Sequence, residues 1–570
     1  MFKSLIVNYI DRKSFLTAQA AQAKPNGIKQ LNKTARTNST ITPYAGVWGE
    51  TQIIQLLKRA TFGAKISDIA YFKTKTMSQC VDELVTPLAA PSPPVNNYEG
   101  KTFNGNPFVD PDGIAKGATW VNAPYNNDAN GFRENSMKSW WVSLMLNQGR
   151  SVTEKMVLFW HNHFSTEINS YNDVRYNFKY LATIRQYALG DFKAFVKAIS
   201  LDPMMLRYLN GFVNTKNAPD ENYGRELQEL FVCGKGPNSQ YTEDDVKAAA
   251  KVLTGININN TTVTYNFISA NHDTANKTFS PFYNNTVITG QTGAAGINEL
   301  DSLILMLFAG KSNGQALPEA AYFISRKLYR WFVYYDIDAT TETNIIAPMA
   351  QAFYSANWDI TAPLKLLLKS EHFYDILNFG CQIKSPVDYT IGALREFNTV
   401  IQNADIAVNY DTWYTVYALM VAFQQAIGDP PNVAGWPAYY QAPQYNEIWV
   451  NTDTLPKRSQ VMDTLVTNNY GLIPAFDVIA FADALSNPAD PNAMVSDTLK
   501  YLLRIDISQV NRDYIKTTYL LTGQTNDIYW TQAWNLFNVD RTNTINKNVV
   551  KSRLQQMIKY IIDLAEYQIA

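Results

Sequence analysis

Three of the four histidines in this 570-residue chain, His161, His163 and His272, lie in segments rich in polar and aromatic residues. Imidazole serves in proteins both as a general acid–base and as a metal ligand. Histidines two positions apart on a helix point about 200° away from each other, so His161 and His163 could bind one metal only if the helix ended at Trp160. The alternative is that both are core histidines whose ring nitrogens bond to other protein groups.

His272 and Asp273, followed by Lys277, come just after a segment with β periodicity, in a polar loop of the kind that often carries catalytic groups. Adjacent side chains diverge on a strand but can converge in a turn, so Asp273 could orient an imidazole from elsewhere in the chain. The alternative is a loop that is held together by hydrogen bonds of the aspartate and the lysine.

Glu221, Arg225 and Glu229 recur every four residues, which on a helix gives an acid–base–acid row along one face. Glu226 lies about 100° further round, with Asn222 one turn before it. Carboxylates from this helix and histidines from others could enclose a divalent metal, although the sequence has no Glu-x-x-His pair of the di-iron kind. Glu226 or Glu229 could instead be a general acid–base whose pKa is raised by burial.

The alternative for this helix is an ion-pair network that fixes it to its neighbours, with Arg225 as the hub. Arg225 neutralises the carboxylates of its own row, so Glu226, which lies off the row, is the better candidate for a reactive acid. A catalytic Glu226 predicts that Glu226→Gln leaves the melting temperature nearly unchanged. A buried network predicts that it lowers the melting temperature sharply.

Two further residues could support a site. The Pro-rich loop 429–437 contains Trp436, which is either a stacking platform for a sugar or a structural plug. Arg59 could be a buried ion-pair partner for one of the glutamates, which would favour an architectural role.

Composition excludes several classes of protein. The net charge of −1 gives no electrostatic case for binding nucleic acid, and contents of 46% hydrophobic and 17% charged residues are typical of a globular chain. The three cysteines lie far apart, so the spacing indicates neither a zinc knuckle nor a disulfide framework. No apolar run is long enough for a transmembrane helix, and the N-terminal segment is a poor secretory signal.

The elements that must position these residues are mainly helices. Residues 1–44 are polar and basic with little periodicity, which indicates a flexible extension, and residues 45–570 are predicted to form a mainly α, multi-helix domain. The period changes to alternation at about 256–292, where a small β-hairpin insertion is predicted. Residues 90–130 indicate a long loop rich in Pro, Asn and Gly.

Start and stop signals define the helices that carry the charges. Asn217 could cap the helix of the acid–base row, and Cys233-Gly234 supplies its stop. A further helix is predicted over 319–334, with an apolar stripe along one side. Its charged residues on the other side, interpreted as a solvated face, are Arg326, Lys327 and Arg330.

Seven ordered segments give the chain a family resemblance. They are LLKRATFG (56–63), EKMVLFWHNHF (154–164), PDENYGRELQELFVCG (219–234), YTEDDVKAAAKVLTG (241–255), HDTANKTF (272–279), IKSPVDYTIGALREF (383–397) and DPPNVAGWP (429–437). On these segments the chain resembles a large bacterial family catalogued as domain of unknown function eighteen hundred, over a core of about residues 50–460. It departs from the family pattern at 424–429, where QQAIGD replaces an expected Met-Gly-Gln-Xaa-Leu-Phe.

The resemblance implies a shared fold and a shared set of positions, but no established reaction. Because members are often encoded beside a sulfatase-like family, it also implies a sulfatase-like partner protein. Many members are exported, so the resemblance favours a periplasmic or cell-envelope location.

Together these features favour an envelope-associated enzyme, a hydrolase or lyase acting on a polysaccharide or another polymer. Its expected catalytic residues, which are also the candidate ligands of a divalent metal, are His161, His163, His272, Asp273 and Glu226. The expected supporting residues are Arg225, Glu221, Glu229, Asn222, Lys277, Arg59 and Trp436. The alternatives are a non-catalytic envelope or assembly protein, whose motif residues form a buried ion-pair network, and a protein with a purely structural metal site.

Overall fold

The structure, a computed structural model, describes residues 39–570. The predicted flexible extension over 1–44 therefore lies outside the described residues except for its last part. That part is paired with the body of the chain, because Tyr44 N donates to Lys369 O at 2.8 Å and Glu371 N donates to Thr42 O at 2.8 Å.

The prediction of a mainly α fold is confirmed. Up to residue 252 the helices are α1 (Glu50–Ala60), α2 (Ile66–Phe72), α3 (Met77–Leu84), α4 (Asn127–Asn147), α5 (Thr153–His163), α6 (Val174–Gln186), α7 (Phe192–Ser200), α8 (Pro203–Tyr208), α9 (Asn222–Glu226) and α10 (Glu243–Val252). From residue 299 they are α11 (Glu299–Leu307), α12 (Glu319–Phe332), α13 (Ala339–Thr341), α14 (Ala347–Ser355), α15 (Thr361–Leu368), α16 (Pro386–Glu396), α17 (Ile406–Ala422), α18 (Thr454–Thr467), α19 (Val478–Asp483), α20 (Pro491–Leu502), α21 (Gln509–Ile515), α22 (Ile528–Val539) and α23 (Thr544–Asp563). Wider π-helical turns continue α9, α13 and α21 over Leu227–Val232, Glu342–Ile346 and Lys516–Leu520.

The β insertion is confirmed as two short antiparallel hairpins. Strand β3 (Ile256–Asn259) pairs with β4 (Thr264–Phe267), and β5 (Lys277–Thr278) pairs with β6 (Val287–Ile288). The sequence did not predict a third hairpin, which lies inside the loop predicted at 90–130. Its strands are β1 (Thr102–Phe103) and β2 (Asn106–Pro107).

The helix that carries the charged row begins later than its sequence signals indicate. Asn217 does not cap it, since Asp220 Oδ1 accepts the hydrogen bond from Asn222 N at 2.9 Å and α9 begins at Asn222. The residues before it are held in a turn by Asn214, whose Oδ1 accepts from Asp220 N at 3.0 Å. The helical segment ends at Cys233-Gly234, as the sequence predicts. Gly234 has a φ of +78°, a value that favours glycine.

The chain after residue 460 is part of the same packed body. Helix α18 packs along α23, and the C-terminal end returns to the start of α16, where Lys384 N donates to Gln568 O at 2.8 Å. Lys58 of α1 donates to Leu502 O at 3.0 Å. Within residues 39–570, no helix has both the length and the apolar composition needed to cross a bilayer.

Candidate functional site

His163 is a core histidine that joins three helical segments. Its Nδ1 lies 2.9 Å from Lys327 Nζ and its Nε2 lies 3.0 Å from Phe231 O. Because the lysine can only donate and the carbonyl can only accept, the ring is neutral with its proton on Nε2. Burial and the Lys327 charge hold the pKa of His163 well below its usual value, and burial together with Arg330 lowers the pKa of Lys327 to about 7.

His161 lies in a box of aromatic rings and has no polar partner. Its ring centroid is 5.3 Å from that of Trp141, 5.9 Å from Tyr180 and 5.7 Å from Trp436. Neither ring nitrogen has a hydrogen-bond partner among the described residues, and burial alone lowers the pKa of His161 to about 3. The imidazole is therefore neutral at pH 7 and shut off from solvent.

Trp436 is a plug over this box. Its side chain is only 3% exposed, and its backbone N–H donates to Asn162 Oδ1 at 2.9 Å. The loop approaches α5 so closely that a Cβ at Gly435 would lie 2.4 Å from Asn162 O. Of the two interpretations of loop 429–437, the buried ring agrees with the structural plug, because a sugar could not reach the face of Trp436 that covers His161.

His161→Phe is expected to make the protein less sensitive to acid. The pKa of His161 is about 3 in the folded chain and about 6.5 when unfolded. Below pH 6.5 only the unfolded state binds the proton, so this histidine's contribution to stability is present above pH 6.5 and is lost as the pH falls toward 3. Between pH 7 and pH 5 the wild type should lose about 2 kcal/mol more free energy of unfolding than His161→Phe. Urea unfolding of both proteins at the two pH values measures this difference, and equal losses would contradict it.

His272 belongs to a buried triad with Glu299 and Lys277. Its Nε2 lies 2.9 Å from Glu299 Oε1, Lys277 Nζ lies 2.6 Å from Glu299 Oε2, and all three side chains are at most 1% exposed. The other ring nitrogen, Nδ1, lies 2.8 Å from Thr254 O and must donate to it. The triad joins the end of α10, the hairpin β5–β6 and the start of α11.

The backbone of Asp273 and the side chain of Lys277 also hold this loop. Lys277 Nζ donates to Asp273 O, and Asp273 N donates to Thr254 Oγ1 at 2.8 Å. The Asp273 carboxylate accepts from Ala275 N at 2.8 Å and so stabilises the turn. These contacts agree with a loop that is anchored by its aspartate and lysine. The sequence did not single out Glu299, because acids such as Glu299 and Asp301 are usual in the first turn of a helix.

The charged row forms ion pairs at the surface. Arg225 bridges Glu221, at 3.3 Å, and Glu243 of the next helix, at 2.6 Å. Glu229 pairs instead with the exposed Lys235 at 2.8 Å, because the π-helical turn after Glu226 ends the regular spacing of the row. Arg225 is thus a hub between α9 and α10, in a network that is half exposed rather than buried.

Glu226 stands apart from these pairs. Among residues 39–570 its carboxylate has no hydrogen-bond or ion-pair partner, and burial and the Glu229 charge raise its pKa. Its neighbour Asn222 donates to Leu209 O at 3.4 Å. A role for Glu226 as a reactive acid stays a prediction.

Among residues 39–570, no hydrogen bond or ion pair joins the side chains of the candidate catalytic residues to one another. Within residues 39–570, no hydrogen bond or ring contact joins any two of His161, His163 and His272. No group of three or more His, Cys, Asp or Glu side chains in that range is arranged to hold a metal ion. Arg59 donates to Gln382 Oε1 at 2.8 Å and to Val333 O, which anchors α1 rather than a catalytic group.

The seven segments of the resemblance are instead tied to each other. A side chain of one segment makes a buried contact with a side chain or the backbone of another. The contacts are Lys58 with Glu396, Lys155 with Asp388, Asn162 with Trp436 N, His163 with Phe231 O, and His272 with Thr254 O. Such contacts are those expected of a network that specifies how the helices pack.

A cleft that the sequence reading missed lies between α5, α12, the start of α16 and the loop after Trp436. We name it the Arg330 cleft, and its lining residues are Lys155, Arg330, Trp331, Tyr335, Gln382, Ile383, Ser385, Asp388, Ala438, Tyr439, Asn446 and Trp449. The interpretation of Arg326, Lys327 and Arg330 as a solvated face is wrong. Arg326 pairs with Glu319 and Glu342, Lys327 contacts His163, and Arg330 lines this cleft.

In one corner of the Arg330 cleft the charged side chains already have partners. Asp388 binds Lys155 through Oδ1 and accepts from Ser385 Oγ at 2.9 Å through Oδ2. Burial lowers the pKa of Lys155 even with Asp388 beside it. Tyr439 lies next to this group, and burial together with the Asp388 charge raises its pKa. Lys155 and Asp388 therefore serve as counter-charges to each other in this corner.

The opposite wall carries hydrogen-bond donors without protein acceptors. Arg330 donates through Nε to Tyr335 O at 3.1 Å, but its Nη1 and Nη2 have no partner among residues 39–570. Asn446 accepts from Ile383 N at 3.2 Å and leaves its amide N–H groups unpaired within the same range. The indole N–H of Trp331 also lacks an acceptor there, but its nitrogen is fully buried, so the donors that the cleft offers are those of Arg330 and Asn446. A surplus of donors favours a ligand rich in acceptor oxygens.

A second, wider cleft adjoins the first. We name it the adjoining cleft, and its lining residues are Val421, Gln424, Ala426, Asp429, Pro431, Trp436, Pro437, Ala438, Ile448 and Trp449. Its cavity volume is about 260 Å³, against about 30 Å³ for the Arg330 cleft. The two clefts share the wall formed by Ala438 and Trp449.

The family comparison covers nearly the whole of this body. A search of curated proteins and a search of solved structures each found no match. The model of one family, described as Protein of unknown function (DUF1800), matches residues 55–569, which includes the C-terminal helices beyond the seven segments. The chain therefore belongs to the DUF1800 family.

Proposed function

We propose that the protein recognises a polysaccharide of the cell envelope, which it binds across the Arg330 cleft and the adjoining cleft. The observation that carries the proposal is the combination of unpaired donors and aromatic side chains on one cleft wall. Sugars present both groups that such a wall needs, because their ring faces stack on aromatic rings and their oxygens accept hydrogen bonds.

The arrangement of the two clefts favours a polymer over a single sugar. They lie on either side of the wall formed by Ala438 and Trp449. A chain that crosses this wall would place successive sugar units in successive clefts. Gln424 and Asp429 add polar groups to the lining of the wider one.

Recognition is better supported than cleavage. A hydrolase or lyase needs an acid or base beside the bound chain that is free to exchange a proton. Both carboxylates that line the clefts already have partners: Asp388 on both oxygens, and Asp429 through a hydrogen bond from Asn169 N at 3.0 Å and an ion pair with Lys138 at 3.7 Å. The motif histidines His161, His163 and His272 are buried in the packed interior. Of the alternatives, we therefore propose the non-catalytic envelope protein.

Val421→Trp is expected to block binding. Val421 is 42% exposed on α17 at the rim of the adjoining cleft, so an indole there fills the cleft without disturbing the core. We expect at least a tenfold loss of affinity for the fragments that the wild type selects from an array of neutral and acidic polysaccharides. Titration calorimetry measures the affinities.

Val408→Trp is the matched control. Val408 lies on the same helix, is 37% exposed and lines neither cleft, so it should bind like the wild type. The proposal fails if the wild type binds nothing on the array, or if Val421→Trp and Val408→Trp bind equally well.

A further inference from the structure

We propose that Arg330 makes the site selective for acidic sugars, with the carboxylate of a uronic acid bound at its guanidinium. The inference rests on the proposed function, because it names the class of polymer that the two clefts would recognise. It concerns a residue that lies outside all seven segments of the family resemblance.

Arg330 has no direct ion-pair partner among residues 39–570, whereas Arg326 and Lys155 each have one. Arg326, one turn earlier on α12, pairs with Glu319 at 2.7 Å and with Glu342 at 2.6 Å. Lys155 across the cleft pairs with Asp388. Among residues 39–570, Arg330 forms no ion pair, and burial lowers its pKa. The carboxylates of Glu342 and Asp336 act on Arg330 through space without an ion pair to it. A partly buried cation that lacks a bonded counter-charge favours an anion in direct contact with it in the cleft.

The shape of the Arg330 cleft restricts which anion fits. A cavity of about 30 Å³ has room for a substituent of a few heavy atoms, whereas the adjoining cleft, at about 260 Å³, has room for a sugar ring. A carboxylate is planar and presents two oxygens, which match the two parallel N–H groups of a guanidinium. Asn446 and Trp331 line the same narrow space, and the amide N–H groups of Asn446 are unpaired among residues 39–570, whereas the indole nitrogen of Trp331 is fully buried.

The ligand can be placed from these dimensions. The uronic acid carboxylate would lie against Nη1 and Nη2 of Arg330. Its sugar ring would lie toward Trp449, the aromatic residue common to both clefts. The rest of the chain would continue into the adjoining cleft. Selectivity for acid would therefore depend on Arg330, and overall affinity on the wider cleft.

The test uses matched pairs of ligands that differ only in charge. Each uronic acid oligosaccharide, beginning with oligogalacturonate, is compared with its methyl ester by titration calorimetry. We expect the wild type to bind the acid at least tenfold more tightly than the ester. Arg330→Gln should bring the two affinities within about twofold of each other, because the charge-assisted bond to the carboxylate is lost. The affinity for the ester should stay nearly unchanged, because the substitution removes little packing.

Three controls make the result specific. Arg541→Gln removes one positive charge from the surface, at a residue paired with Asp483, and should keep the preference for acid. Arg330→Lys keeps the charge but loses the planar fork, so its preference should be intermediate. If Arg330→Gln does not fold, the preference of the wild type for acid over ester is measured at increasing ionic strength instead. A preference due to charge falls as ionic strength rises.

The outcomes separate this inference from the proposed function. A wild type that binds ester and acid equally, or an Arg330→Gln variant with an unchanged preference, overturns the inference while the loss of binding in Val421→Trp still stands. A Val421→Trp variant that binds normally overturns the proposed function.

Discussion

Glu299→Gln should lower the free energy of unfolding by about 3–5 kcal/mol, the usual cost of removing one partner from a buried ion pair. Glu299 accepts from both His272 and Lys277, and its Oε1 also accepts from Gln291 N at 2.6 Å. The amide keeps the size of the side chain but removes the negative charge. Lys277, whose side chain is fully buried, is then left without a counter-charge. Denaturant unfolding monitored by circular dichroism measures the loss.

Asp301→Asn is the matched control for this triad. Asp301 lies on the same helix, α11, and its ion pair with Lys197 is about half exposed on both sides. An exposed pair is worth at most about 1 kcal/mol, so this variant should unfold almost like the wild type. Equal effects of the two substitutions would show that the triad is not a stabilising feature of the fold.

Lys58→Met should also cost about 3–5 kcal/mol, because it leaves Glu396 buried and unpaired. The two charged atoms are 2.7 Å apart, and both side chains are less than 5% exposed. The pair joins α1 to the end of α16. Lys73→Met is the control, since Lys73 pairs with Glu50 at the same distance but is 52% exposed.

The double variant Lys58→Met/Glu396→Leu tests whether the charges act as a pair. It should be less destabilised than the sum of the single variants by about 2–3 kcal/mol, because no unpaired carboxylate remains. Arg504 loses a nearby counter-charge in the double variant, so the recovery should be incomplete. Strict additivity of the single variants would contradict the buried pair.

Local signals in the sequence were enough for most of the helical fold. Thr242 and Asp245 form the reciprocal capping box that starts α10, and Ser385 caps α16 with Pro386 in its first turn. The π-helical turn over Leu227–Val232 has no such signal. It depends on long-range contacts such as the hydrogen bond from Tyr283 OH to Gln228 Oε1, and it separates Glu229 from the row that the helical spacing predicts.

The site was harder to predict because its partners are distant in sequence. Glu299 meets His272 across 27 residues, so the spacing of the motif alone gives no sign of it. Arg330 has the helical spacing of an exposed residue. That position lines a cleft because two segments more than a hundred residues later lie opposite it. These segments are Pro437–Tyr439 and Tyr445–Trp449.

The network of motif residues explains why polar groups occur deep in this fold. His163, His272 and Lys58 each have a partner from another segment, so each fixes the relative position of two parts of the fold. In our proposal, ligand recognition depends instead on residues such as Arg330 and Trp449, which lie outside the seven segments. The fold and the binding site can therefore be disturbed independently by substitution.

The location of a bound acidic sugar tests the central claim most directly. A crystal of the protein soaked in digalacturonate should show one carboxylate about 3 Å from Nη1 and Nη2 of Arg330, with its ring beside Trp449 and the second unit in the adjoining cleft. A sugar bound beside Glu226, or two empty clefts at a concentration that saturates binding in solution, would contradict the account.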